Sequence, residues 1–345
     1  IPAPAAPGTP RNQPLSTRNF VSADQELAVF QPAVYVETEL TPTQRWRIVP
    51  GLRLDFSKDT ERVDPNPRLN TRYTLYDGGT ALKAGVGVFT QPPQPQQSNP
   101  PLGTKGIRAE RAIHYGLGVE QPIGERVTAS LDGFYKQIDD AITPVPSDSG
   151  TSAVWTNAGL RRAFGAEVLL KVRPGKRFFG WLAYTLSRAT RRNDVDAPEV
   201  HVPWDQTHNL ILLGSYRFDG GWELGARFRL VSGNFADPNV CNPSSETCDP
   251  TRVGALFHAA SGAYTPIRFG SDNSERLPTF HALDVRVDKK WQLGIVELSA
   301  YLDVQNVYNH QNAEGISYDY RFSTRQFVTG LPILPSIGLR AELTE

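Results

Sequence analysis

Apolar and polar residues alternate with a period of two along much of this chain. Trp222, Leu224, Ala226, Phe228 and Leu230 stand against Glu223, Gly225, Arg227 and Arg229. Val296, Leu298, Ala300, Leu302 and Val304 stand against Glu297, Ser299, Tyr301, Asp303 and Gln305, and Val127, Ala129 and Leu131 against Thr128, Ser130 and Asp132. Such alternation sends the two sets to opposite faces of a β-strand. Several segments sustain it for roughly ten residues, the length a tilted strand needs to cross a bilayer, whereas strands of soluble proteins average about five or six.

The connectors alternate as well. Tight turns at Asp77–Thr80, Gly124–Arg126, Pro174–Lys176 and Asp219–Gly221 take turns with long polar stretches. Those stretches run from after Phe56 through Pro67, over Gln91–Arg108, and near 142–160, 193–208 and 234–280, the last being the largest. A meander with short turns at one end and long loops at the other predicts an all-β fold, an antiparallel transmembrane β-barrel with about thirteen strands in this chain. The barrel portion is expected over 25–345, after a Pro-rich extracellular loop or tail at 1–24. A soluble propeller would also be rich in strands, but no blade-length repeat recurs.

The energetics of lipid assign the faces. A Lys or Arg facing mid-membrane costs roughly 2–4 kcal/mol, so apolar sets belong on the lipid side and charges on a wet lumen side. Leu224, Ala226, Phe228, Leu298, Leu302 and Val304 are therefore expected to face lipid, and Arg227, Arg229, Glu297, Tyr301 and Asp303 the lumen. An open sheet edge in hydrocarbon leaves backbone groups unpaired, so the first strand, near Ala28–Leu40, and the last, near Ile337–Leu343, both need partners.

Composition narrows the picture further. The chain has 345 residues and a formal net charge of zero, with a mean hydropathy of −0.38. A barrel has this low signal, because lumen and lipid residues alternate. No run of about 18 apolar residues is present, so a helical membrane protein is excluded. Balanced charge without a basic stripe argues against a nucleic-acid partner. Aromatics at Trp46, Phe56, Tyr76, Phe178, Phe179, Trp222 and Trp291 fall near predicted strand ends, where interfacial girdles belong. The sequence contains no methionine and opens on Ile1-Pro2-Ala3-Pro4 rather than on a basic-apolar leader, which reads as a processed piece of a longer precursor.

Tyr301-Leu302-Asp303-Val304-Gln305-Asn306-Val307-Tyr308-Asn309 resembles the penultimate-strand signature of TonB-dependent outer-membrane receptors, and Gly330–Leu343 resembles their closing strand. Pro50–Asp55, Leu82–Phe89 and Gly180–Ser187 resemble earlier barrel pieces, so the likeness spans most of 30–345. It implies location in the outer membrane of a Gram-negative bacterium, with outer-membrane lipid around a 22-stranded barrel. It also implies an N-terminal plug, coupling to TonB through that plug, and energised uptake of a scarce ligand such as a siderophore, cobalamin, a sugar or a peptide. This sequence shows no plug-like domain and no coupling motif, and Leu343-Thr344-Glu345 replaces the usual terminal aromatic. The chain is thus expected to be the C-terminal part of the receptor, closed by an N-terminal plug-plus-barrel fragment of the same precursor. The alternatives are a self-contained diffusion channel of about fourteen strands and, more remotely, a barrel hydrolase or adhesion scaffold.

Candidate chemistry is sparse. His114, His201, His208, His258, His281 and His310 are scattered without ligand spacing, and Asp194-Val195-Asp196 lacks the Gly and further carboxylates of a calcium loop. No catalytic set, metal site or cofactor is expected. Cys241 and Cys248, the only cysteines, share the largest loop, and in an oxidising compartment they are expected to form a disulfide. Arg252, His258, Tyr264, Arg268 and Phe269 in that loop are the candidate ligand contacts, since function concentrates on loops held by a rigid scaffold. A loop that merely packs on itself is the alternative.

Overall fold

The computed structural model describes residues 29–99, 103–146, 153–237, 255–258, 263–266, 272–319 and 324–343. Thirteen strands form one continuous antiparallel path. They are β1 Ala33–Glu37, β2 Trp46–Ser57, β3 Arg62–Thr74, β4 Ala81–Gln91, β5 Glu110–Ile123, β6 Val127–Pro146 and β7 Ala153–Val172, followed by β8 Phe178–Arg192, β9 His208–Arg217, β10 Trp222–Val231, β11 Phe280–Leu293, β12 Val296–Gln305 and β13 Leu334–Leu343. Each pairs only with its neighbours in the chain, which makes the sheet an uninterrupted meander. Leu40–Thr43 and Val200–His201 add short pieces beside β2 and β8.

One end of the meander is built from tight turns. Gly78, Gly124, Gly220, Gly221 and Gly294 take φ between 60° and 80° there, a region that a Cβ disfavours. At Gly221 an added Cβ would also lie 2.5 Å from the Lys290 carbonyl oxygen. The other end carries the longer connections.

Two expected loops are strand instead. The stretch before Pro67 belongs to β3, and the connection from β2 shrinks to 58–61. Pairing to β2 continues through Pro65 and Pro67 (Leu54↔Pro65, Leu52↔Pro67), while pairing to β4 stops at Arg68↔Gly87. Proline lacks the N–H a second ladder would use, so it is tolerated where one side of a strand is free. Much of 142–160 is likewise strand, because β6 and β7 each run 20 residues. Their register shifts between Ile138, Ala141 and Thr143. Asp140 there has φ 55°, and its carbonyl accepts the Asn157 amide at 2.8 Å. A bulge of this kind bends a strand pair without ending it.

A single-layer sheet has little interior. Fully buried residues gather instead at the long-loop end, among them Ile107, Ala141, Ile142, Val202, Asp205, Asn273 and Leu277.

Candidate functional site

Strand register sorts the side chains of the C-terminal strands into two faces. On one, Tyr216, Leu224, Val287, Leu302 and Ile337 form a row across β9 to β13. The next row on that face runs through Gly214, Ala226, Val285 and Val304, and the one beyond it through Leu212, Phe228 and Leu283. On the other face Arg227 stands opposite Asp284, Arg286 opposite Asp303, and Asp288 opposite Tyr301. The five residues expected in the lumen, Arg227, Arg229, Glu297, Tyr301 and Asp303, all share this charged face.

The charges there are paired. Arg227 donates to Asp284 from Nε at 2.9 Å and from an Nη at 2.6 Å, with Arg229 3.9 Å from the same carboxylate. Arg286 holds Asp288 at 2.8 Å, reaches Asp303 at 3.9 Å and lies 3.9 Å over the Tyr301 ring. Lys290 holds Glu297 at 2.9 Å. Arg227, Asp284, Arg286, Asp288 and Asp303 line, with Glu223 and Gln305, a hollow of about 470 Å³. Asp284, Arg286 and Asp288 were legible by the same alternation, since Asp284, Arg286 and Asp288 interleave with Leu283, Val285 and Val287. Such a wall suits a polar occupant, because Arg227, Arg286 and Lys290 each keep a carboxylate partner while presenting edges to solvent.

Asn306 explains why the penultimate-strand signature has its form. It ends β12 in the left-handed region at φ 50°. Its backbone N–H donates to Asp284 at 2.9 Å, and its side chain spans the His310 N–H, the His310 carbonyl and the Leu331 carbonyl. Asn tolerates this conformation and supplies both donor and acceptor. We expect Asn306→Ala to lower the unfolding midpoint by the equivalent of about 2 kcal/mol, measured by chemical denaturation against wild type.

Above the wall the long loops lock together. Buried Asp205 accepts the Ala189 N–H at 2.9 Å and contacts His201 Nδ1 at 2.6 Å. Arg276 donates to the Asp205 and Gly233 carbonyls at 3.0 and 2.9 Å and lies 4.1 Å over the Phe235 ring, which stacks on His201 at 4.2 Å. Glu275 pairs with Arg325 at 2.7 Å, joining this cluster to the hairpin of Ala313–Tyr318 and Arg325–Thr329. That carboxylate also raises the Arg325 guanidinium above its usual pKa. None of this was readable beforehand, since its members come from four separated segments.

The candidate loop residues divide by position. His258 and Tyr264 sit in a hairpin where Ala255–His258 pairs with Ala263–Pro266. Arg252, Arg268, Phe269, Cys241 and Cys248 lie outside the described residues. The histidines are not all scattered. His281 and His310 stack at 3.7 Å, and His281 Nδ1 meets the Tyr308 hydroxyl at 2.9 Å. Among the described residues, however, no three His, Cys, Asp or Glu side chains converge on a metal position.

Residues 2–307 match the family model described as TonB dependent receptor-like, β-barrel. The chain belongs to this family. It is a receptor and transporter barrel family of the Gram-negative outer membrane, not a family of enzymes. No curated protein matches the sequence. Among solved structures, the chain is similar to the outer membrane transporter YddB from Escherichia coli, with 11% identity and a TM-score of 0.67 over 92% of this chain and 46% of that one. The FrpB iron transporter from Neisseria meningitidis gives 18% identity and a TM-score of 0.61 over 90% of this chain and 44% of that one. The ferric citrate transporter FecA gives 20% and 0.63 over 90% and 45%. These identities show a common fold, and the TonB-dependent barrel chain spans less than half the length of each of the three.

Proposed function

We propose that this chain forms the C-terminal wall of a TonB-dependent receptor that imports a scarce ligand, with its charged face in the lumen and its long loops outside. The observation that carries the reading is the pair of open edges on a two-faced sheet. Among the described residues β1 pairs only with β2, and β13 only with β12. Ile337, Leu339 and Leu343 are left 81%, 75% and 79% exposed. Neither edge can face hydrocarbon without a partner strand. A second segment carrying the plug and the remaining strands, roughly nine for a barrel of 22, meets both edges and supplies the contact with TonB. A self-contained channel would instead need β1 and β13 to meet.

Structural neighbours that carry iron and ferric citrate favour a metal chelate or siderophore as the ligand. Loop residues Arg252, His258, Tyr264, Arg268 and Phe269 are the proposed contacts. The barrel itself does no covalent chemistry in this reading.

Purification in mild detergent followed by denaturing electrophoresis and mass spectrometry tests the partner. This chain is expected to arrive with plug-bearing sequence, whether on a companion fragment or on the same polypeptide. A monodisperse closed barrel made of this chain alone would overturn the reading. Face assignment is tested separately with Leu302→Cys and Asp303→Cys and a membrane-impermeant thiol reagent, where the Asp303 variant should label faster. For the largest loop, alkylation under denaturing, non-reducing conditions is expected to leave Cys241 and Cys248 unmodified. Labelling of both would remove the proposed disulfide.

A further inference from the structure

The outer end of β2 and β3 holds oxygen atoms that the protein itself leaves unused. Asp55 and Ser57 on β2 and Asp64 and Asn66 on β3 alternate with Leu54, Phe56, Val63 and Pro65, so the four share the charged face. Register puts Asp55 directly opposite Asp64, with Arg53 opposite Asn66 and Ser57 opposite Arg62. Like charges facing each other across a strand pair destabilise it. Asp55 is answered. The Arg53 Nε donates to its two oxygens at 2.9 and 3.0 Å, and the Asn66 Nδ2 donates to Oδ2 at 2.8 Å. Asp64 is half-buried, and among the described residues its carboxylate has no hydrogen bond and no ion pair.

Two neutral oxygens beside it are orphaned as well. Ser57 and Asn66 are only 4% and 6% exposed, and the Ser57 Oγ and Asn66 Oδ1 meet no hydrogen-bonding partner. The Asn66 Nδ2 is held by Asp55 and by the Thr90 Oγ1 at 2.9 Å, which fixes the amide and leaves Oδ1 one carbon away from the Asp55 contact. Buried polar atoms in native proteins are normally satisfied by the chain, by water or by an ion. Here an ion answers more than water does, because it also neutralises the free carboxylate. The surrounding charge agrees: residues 53–64 carry Asp55, Asp59, Glu61 and Asp64 against Arg53, Lys58 and Arg62.

We propose that the Asp64 carboxylate, the Ser57 Oγ and the Asn66 Oδ1 bind a calcium ion, with Asp55 as the second carboxylate across the pair. Neighbouring side chains on one sheet face stand about 5–8 Å apart, and calcium, at about 2.3–2.6 Å from each oxygen, bridges atoms up to about 5 Å apart. An all-oxygen donor set is the chemistry of a hard cation, and water or backbone carbonyls complete the roughly six to eight ligands that calcium takes. Magnesium demands near-ideal octahedral geometry, a poorer match to side chains fixed on two strands. The ion removes the repulsion between Asp55 and Asp64 and ties β2 to β3 where the connection 58–61 leaves the sheet. The site is built from this chain's own strands and is separate from the imported ligand.

The test uses the whole receptor in mild detergent, stripped with a chelator and titrated with calcium chloride or magnesium chloride by isothermal titration calorimetry, with thermal unfolding in parallel. Wild type should bind calcium more tightly than magnesium, and calcium should raise its unfolding midpoint. D64N and S57A remove groups that have no partner without the ion, so neither should lower the midpoint of the metal-free receptor. Both should weaken calcium binding, D64N by about ten-fold or more and S57A by about three-fold. D196N, an exposed acid in the loop after β8, should bind calcium as wild type does. Calcium that binds wild type and D64N alike sits elsewhere and overturns the site. Magnesium bound as tightly as calcium, or no calcium binding at millimolar concentration, overturns it as well. None of these readings involves import, so the receptor reading stands or falls separately.

Discussion

Leu302→Arg is expected to destabilise the assembled receptor by roughly 2–4 kcal/mol, the cost of a cation in the middle of the lipid face of a barrel. Ser336→Arg, one row away on the opposite face, is expected to be nearly neutral. Leu302 is 46% exposed in a row of Leu224, Val287 and Ile337, with no polar neighbour to receive a guanidinium. Ser336 stands directly opposite Asp303, so an arginine there gains a carboxylate within reach. Guanidinium unfolding of both variants in bilayers of constant composition makes the comparison. Equal losses at the two positions would mean that the faces do not differ in solvent.

Asp284→Ala should cost about 3 kcal/mol, and Asp284→Asn roughly 1 kcal/mol. Asp284 is 7% exposed and serves two groups at once. One oxygen takes both Arg227 donors, while the other takes the buried Asn306 N–H at 2.9 Å. Alanine strands that N–H and removes the counter-charge, whereas asparagine keeps an acceptor for the N–H but loses the charge and the oxygen that accepts from Arg227. Arg227 is 43% exposed at its side chain, so solvent recovers part of its loss, which holds the figures below those for a fully buried pair. The ratio between the variants is the readout. If both lose equally, the Asn306 bond contributes nothing and the signature turn is held by other contacts.

How far this fold was legible follows from the range of each signal. Period-two alternation is local, so the faces of β10 and β12 could be assigned residue by residue. The Gly-containing turns were equally plain, because positive φ at Gly78, Gly124 and Gly220 demands a residue without Cβ. Loops were harder. Pro65 and Pro67 looked like breakers, yet a strand tolerates them when only one side is paired. The outer parts of β6 and β7 lose strict alternation through the bulge at Ile138–Thr143 and were mistaken for loop. Local patterns blur wherever an extra residue changes the period.

The sequence alone determined a two-faced antiparallel meander, because strand geometry converts each residue's polarity directly into a side of the sheet. The TonB-dependent type came from the resemblance of Tyr301–Asn309 and Gly330–Leu343 to that family. Tertiary structure alone decided which charges meet. Arg227 finds Asp284 across 57 positions and Arg276 reaches the Asp205 carbonyl across 71, pairings that depend on register and on loop packing. It also revealed that Asp64, ordinary in composition, stands opposite Asp55 without a partner among the described residues. Polarity is written one residue at a time, but partnership exists only after distant strands have been aligned.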